Sequence, residues 1–431
     1  MRLRLLCATL VVASISPFLS AQGSAIARQP AVRDALAFLQ RVEPETLDEQ
    51  ARICEIPAPP FAESARAEYY RKRFVELGLQ DVRLDAVGNV HGVRPGRTAG
   101  PLLVFSAHLD TVFPTGTDTR VKRIGTVLKA PGIADDSRGL AVLLAVVRAL
   151  DQGKIATAGT VRFVGTVGEE GPGNLRGVRH LFEKELPGKI THFISLDGTG
   201  LGTTTTAVGS NRYRVTFRAA GGHSYGQFGL VNPIHALGRA LEKIARFEVP
   251  EKPKTTFNVG QIGGGTSVNS IARTATMEID LRSESAEELA KVDAQLHAAI
   301  AAAAQEENEF WATRTRNPIA RLTNQGTPVT ATIESMGRRP TGRVADDAPI
   351  LQAVRRADAA LGLTTTLEAG STDSNLPISL GLPALTLKSG GDSTGNHALD
   401  EQFDSKASHL GTPRAFLALL EIAGLAPPPN P

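Results

Sequence analysis

Five stretches of this chain bring acidic residues or histidine to the end of an apolar run or into the loop that follows it. His108 and Asp110 follow "LLVFSA", Asp135 and Asp136 stand in "PGIADDSRG", Glu169 and Glu170 follow "VRFVGTV", Asp197 follows "HFISL", and His397 lies in the glycine-rich "SGGDSTGNHALDE". A buried polar group without a partner costs about 2 to 7 kcal/mol, so residues like these at the mouth of a core belong to a satisfied network or to a site. If the strands are parallel neighbours, all five positions converge on one sheet edge, and that many like charges need a cation. Two histidines and three carboxylates suit zinc, which takes imidazole nitrogen and carboxylate oxygen at about 2.0 to 2.2 Å. With one carboxylate bridging, two metals would each hold three protein ligands and share a water acidified towards a pKa of about 7. Of the remaining acids, Asp136 reads as a helix cap. Asp110, two residues past His108, is expected to accept from the second imidazole nitrogen. One of the paired glutamates can coordinate while its neighbour, on the other side of an extended backbone, serves as general base.

These residues need a frame. Short apolar, β-branched runs at Leu102, Val161, His192 and Pro383 read as strands. Between them "DDSRGLAVLLAVVRALDQG" opens on Asp136, is apolar nearly all round from Leu140 to Leu150 and stops at Gly153, so a buried helix is expected. Strands alternating with helices predict an α/β domain, a mostly parallel sheet with helices on both faces, whose site lies at the C-terminal strand ends. Past Asp197, "GTGLGTTTTAVGS" is small, polar and unpatterned and reads as a hinge. A second unit follows: "YRVTFRA" alternates, a helix runs over about 233–247, "TATMEIDLRS" alternates, a long helix covers about 286–310, and "TPVTATIES" closes before a turn at Arg339 and Pro340. This is the pattern of a small α+β, ferredoxin-like lid inserted at 208–337 between catalytic segments 28–207 and 338–431.

A chain of 431 residues exceeds one ordinary core, and 42% hydrophobic with 21% charged residues is a globular composition. The net charge, 47 basic minus 44 acidic residues or +3, contains no basic block and excludes nucleic acid as the expected partner. Arg2 and Arg4 precede an apolar run from Leu5 to Leu19 and then small residues, the order of a secretory signal peptide, with processing after Ala21 or Ala27. That run is short of the about 20 residues of a stable membrane anchor. Residues 1–27 are therefore set aside, and the mature protein is expected outside the cytoplasm, in the periplasm or the medium. Of two cysteines Cys7 falls in this segment, so Cys54 has no disulfide partner and a metal must rest on histidines and carboxylates.

In order and spacing, "SAHLDTV", "PGIADDSRG", "GEEGPG", "SLDG" and "GNHALDE" resemble the motifs of the two-zinc exopeptidase and amidohydrolase family of glutamate carboxypeptidase, peptidase T, carnosinase and acetylornithine deacetylase. The resemblance implies Asp135 as bridging ligand, His108 and Asp197 on one zinc, and Glu170 and His397 on the other, with cobalt or manganese as substitutes. It implies Glu169 as general base, Asp110 as the residue orienting His108, and a cis bond between Asp135 and Asp136. In the lid it implies that His223 of "AAGGHSYG" reaches a substrate carbonyl, commonly from a partner subunit of a homodimer. Asn269 and Arg282 are implied substrate contacts, Arg282 as a fork for a carboxylate. "GSTDSN", from Gly370, resembles a substrate-side loop. The chain departs from the family at Arg138, where many members have lysine, and just before Asn396. His91, His180, His192, His235, His297 and His409 lie outside the motifs and read as surface or packing residues. The expected activity is hydrolysis of a terminal amide bond of short peptides. The alternatives are deacylation of an N-acyl amino acid by the same site, or a silent binding protein on the same scaffold; all five ligand positions and the base are kept, which weighs against silence.

Overall fold

In the computed structural model, which describes residues 24–427, the apolar runs pair side by side. Thr160–Thr166, Leu102–His108, His192–Leu196 and Ala384–Leu387 are parallel neighbours in that order at the centre of a nine-stranded sheet. Successive side chains of a strand face opposite ways, yet nearly every residue of these four is buried, so both faces are covered. The parallel character belongs to this centre. Towards the edges antiparallel pairing enters, with Val90–Arg94 and Gln80–Leu84 on one side and Gly202–Ala207 and Gly342–Arg343 on the other, while the ninth strand, Thr366–Gly370, runs parallel to Gly202–Ala207. The helix Ser137–Gln152 is capped by Asp136, whose carboxylate accepts from Gly139 N at 3.1 Å. A Cβ on Gly139 would lie 2.3 Å from that carboxylate, so the cap needs glycine there.

Two expectations change. The "GTTTTA" text read as a hinge is instead the strand Gly202–Ala207, buried in the main sheet. Threonine is β-branched and suits a pleated surface, while its hydroxyl removes the hydropathy signal that marks a buried strand. The connections between the two units are a few residues around Val208 and Pro340, both tied by Asn375, whose Nδ2 donates to Val208 O at 2.8 Å and Pro340 O at 3.0 Å. A second sheet was also not anticipated: Lys122–Ile124, Val127–Lys129, Gln402–Asp404 and Asp392–Thr394, each three residues long. It joins the loop leading to Asp135 with the loop carrying His397.

The inserted unit, expected from sequence to be a lid, spans Gly209 to Arg339. Its four antiparallel strands lie in the order Thr255–Gly264, Thr274–Ser283, Gly209–Arg218, Thr330–Arg339, with helices Pro233–Ile244 and Ala286–Arg314 packed on them, a βαββαβ succession. The long helix buries Leu289, Val292, Leu296, Ile300 and Ala303, a stripe at helical spacing. The edge strand Thr255–Gly264 escaped the sequence pattern because "NVGQIGG" interrupts alternation with glycine.

Residues 1–23, most of the expected signal segment, lie outside the described residues. Ser24 to Ala27 lie within them, with Ala27 fully buried in the main core and Ser24 Oγ accepting from Ile26 N at 3.1 Å. No described helix is long and apolar enough to cross a membrane. Cys54 is unpaired and buried, and burial pushes its thiol up to about 12, which keeps it unreactive near neutral pH.

Candidate active site

His108 ends its strand, the Glu169–Glu170 pair follows the neighbouring strand, and Asp197 follows the next, so the central strands deliver them to one edge. Asp135 arrives on the loop before the Ser137–Gln152 helix, and the Asp135–Asp136 bond is cis. Asp136 also accepts from His108 N at 3.1 Å, fastening the strand end to the helix start. Asp135 stands between the two histidines, one oxygen 2.9 Å from His108 Nε2 and the other 3.1 Å from His397 Nε2. His397 Nε2 is also 3.1 Å from Glu170 Oε1. Donor atoms of His108, Asp135 and Glu170 lie within 4.8 Å of one another.

Asp135, Glu169, Glu170, Asp197 and His397 line one cavity of about 200 Å³. Burial, and then the neighbouring Asp135, raises both Glu170 and Asp197 above the ordinary carboxylate range. Burial also lifts Glu169, with Arg339 opposing and Glu170 adding to the rise. Burial alone would raise Asp135 as well, but its bonds to His108 and His397 hold it below the usual range. His397 in turn is pushed up to about 10 by Asp135 and Glu170. An anionic set of this kind, with imidazole nitrogens facing carboxylate oxygens and one carboxylate pointing both ways, fits divalent cations. The side chains of His108, Asp135, Glu170, Asp197 and His397 are those that could hold them.

One role changes. Asp110 was expected to orient His108 through its carboxylate, but its backbone carbonyl takes that place, 3.0 Å from Nδ1, while the carboxylate oxygen is 3.8 Å away. The carboxylate instead accepts from Glu169 N at 3.0 Å and Glu170 N at 2.8 Å. Asp110 thus fixes both glutamates through their backbone, and a short turn after the strand makes the carbonyl the nearer acceptor. The arginine at the family's lysine position leaves the site altogether. Arg138 donates to Ser389 O at 2.9 Å and Ser408 O at 2.8 Å and pairs with Glu43 at 3.0 Å, bracing helices.

Arg282 lines the cavity, its Nε bonded to Asp280 at 2.7 Å. His223 and Asn269 do not. They sit together on the lid, Ser224 N donating to Asn269 O at 3.0 Å, and His223 Nδ1 accepts from Gly226 N at 3.1 Å. Arg212 and Arg339 line the cavity too, and the sequence did not disclose them. Arg339, buried at the end of its strand and read from sequence as a turn residue, donates to Glu169 Oε1 at 2.7 Å and to Ser371 Oγ at 3.2 Å. Arg212 shares Asp280 with Arg282 and donates to Gly171 O at 2.8 Å.

Residues 104–421 match Peptidase family M20/M25/M40. The chain belongs to this family. Carboxypeptidase G2 of Pseudomonas sp. (strain RS-16) is 26% identical over 269 residues, 59% of this chain and 60% of that protein. Among solved structures, the aminopeptidase PepT of Bacillus cereus ATCC 10987 superposes with a TM-score of 0.67 at 21% identity, covering 88% of this chain and 98% of PepT. The Bacillus subtilis YXEP protein, described as a dinuclear metal-binding peptidase of the M20 family, gives 0.57 at 18% identity over 90% of this chain and 99% of YXEP. The M20 fold of these proteins is the one described above.

Proposed function

We propose that this M20 hydrolase is a zinc-dependent exopeptidase acting on short peptides that carry a free carboxylate beside the scissile amide. The observation that supports it is one small cavity holding both the histidine–carboxylate cluster and the guanidinium groups of Arg212, Arg282 and Arg339. Two zinc ions, or cobalt or manganese in their place, would supply carbonyl polarisation and an acidified water. Glu169 would take a proton from the attacking water as its oxygen adds to the amide carbonyl carbon, and return that proton to the nitrogen as the C–N bond breaks. Asp110 keeps the glutamate pair in register through its two backbone bonds. Arg282 and Arg339 receive the carboxylate, since guanidinium forks match it in geometry and charge. His223, outside the cavity on the lid, would serve the oxyanion from a second copy of the chain in a homodimer.

An N-acyl amino acid offers the same amide next to the same carboxylate, so deacylation draws on the same observation. The test is a panel of di- and tripeptides beside N-acetyl and N-succinyl amino acids, each as free acid and as C-terminal amide, before and after chelation. Free acids should exceed amides in kcat/KM by about 10- to 150-fold, the worth of a charged hydrogen bond of about 1.5 to 3 kcal/mol. Arg282→Ala should shrink that ratio, and chelation should abolish all hydrolysis. Equal cleavage of acids and amides would remove the carboxylate reading; chelator-resistant cleavage would remove the metal.

We also propose export, with processing after Ala21 rather than Ala27. Removal up to Ala27 would strip a fully buried residue from the main core, whereas the earlier point keeps Ser24 to Ala27. Intact-mass measurement of the protein recovered outside the cytoplasm should give a start upstream of Ser24. A start at Arg28 would contradict this.

A further inference from the structure

We propose that Glu401 is a positioning residue of this centre: its carboxylate presets the loop that presents Asp135, so that the site is ready for metal. The proposal rests on the reading of the cavity as a metal site. Glu401 is fully buried. One of its oxygens accepts from Gly132 N at 3.0 Å, and the other accepts from Ala134 N at 2.8 Å and Asp135 N at 3.2 Å. Its own carbonyl accepts from Ala130 N at 3.2 Å. A single residue, 266 positions away in sequence, therefore holds four backbone groups of the 130–135 loop. On the other side of that loop Gln50 Nε2 donates to Ile133 O at 2.8 Å.

A buried carboxylate costs several kcal/mol to desolvate and persists where convergent donors satisfy it. Three N–H groups within four residues of one loop do so only if the loop keeps a single shape. Holding Asp135 at its N–H leaves the Asp135 carboxylate directed at His108 and His397, the geometry on which a shared ligand depends. Glu401 also lies four residues beyond His397, and the pairing of Gln402 with Lys129 anchors both segments in the small sheet. The ligands from the two loops thus form one unit, with Glu401 as its internal tie. Ordering this unit in advance removes an entropic cost from metal binding.

The experiment is zinc titration of the metal-free, full-length mature protein by competition with a chromophoric chelator, wild type against Glu401→Gln, with circular dichroism to verify the fold at the titration temperature. Glutamine preserves size but loses the charge and turns an NH2 group towards an N–H donor. The expected result is zinc affinity about 10- to 100-fold weaker in a folded variant, the usual cost of losing an outer partner of a ligand. Affinity within about twofold of wild type in a folded variant would overturn the proposal and leave the metal reading intact. If wild type itself takes up no zinc, the metal reading falls and the proposal with it. Should Glu401→Gln not fold, Glu401→Asp, which keeps the charge on a shorter arm, is titrated under the same criteria. Failure of both to fold would overturn the assignment by making Glu401 a residue of folding.

Discussion

Glu169→Gln lowers turnover by about 100- to 10,000-fold, the span of a general base, while metal content stays at the wild-type level. The two adjacent glutamates have different surroundings. Glu170 turns to His397 at 3.1 Å, whereas Glu169 is held by Arg339 at 2.7 Å. Glutamine at 169 can still accept from Arg339, so the pocket keeps its shape and only the proton-accepting oxygen is lost. Burial raises Glu169 above the ordinary carboxylate range, which suits a group that must accept a proton and then part with it. The check pairs steady-state kinetics with elemental analysis on the same preparation. A variant with near-normal turnover would strip Glu169 of the role, and one that lost metal would make it a ligand instead.

How far the site could be read from sequence depends on the kind of signal each residue leaves. His108, Glu169, Glu170 and Asp197 were legible because each lies at or shortly beyond the end of a buried parallel strand, where a polar residue breaks an apolar run. Asp135 and His397 lie in loops and were legible from their place just before the buried helix and after the last strand. Arg339 left no such mark. Its strand shifts register between Ser335 and Gly337, and a bulge there breaks the two-residue period, so the text past Ser335 reads as a turn. Arg212 lies inside an alternating strand, where a charged residue usually faces water. Glu401 is one acid in a polar loop, and its importance comes from tertiary contacts across 266 residues that no local pattern contains. Asp110 was found in place, but the choice between its carbonyl and its carboxylate is set by the turn geometry after the strand. In the fold, the threonine strand at 202–207 and the three-residue strands of the small sheet went unseen for a related reason: one hides its apolar character, the others are too short to show a period.

Asp135→Ala should cost the protein both metals, whereas Asp197→Ala should leave one. Each Asp135 oxygen faces a different histidine, so its loss withdraws a ligand atom from both sides of the cluster at once. Asp197 lines the same cavity but makes no bond to either histidine, so its loss would withdraw a ligand from one side only. The loss at position 135 extends further. Without the carboxylate, His108 keeps only the Asp110 carbonyl and His397 only Glu170, so no side chain is left that links the two histidines. Neither variant removes the backbone N–H groups that Glu401 grips, so the loop should persist and folding should be kept. The measurement is metal per chain after exhaustive dialysis against buffer with trace zinc, alongside peptide hydrolysis. About two zinc in wild type, about one in Asp197→Ala and none in Asp135→Ala, with turnover lost in both variants, is the pattern of a bridged pair. Two zinc retained in Asp135→Ala would mean that Asp135 is not a ligand shared by the two metals.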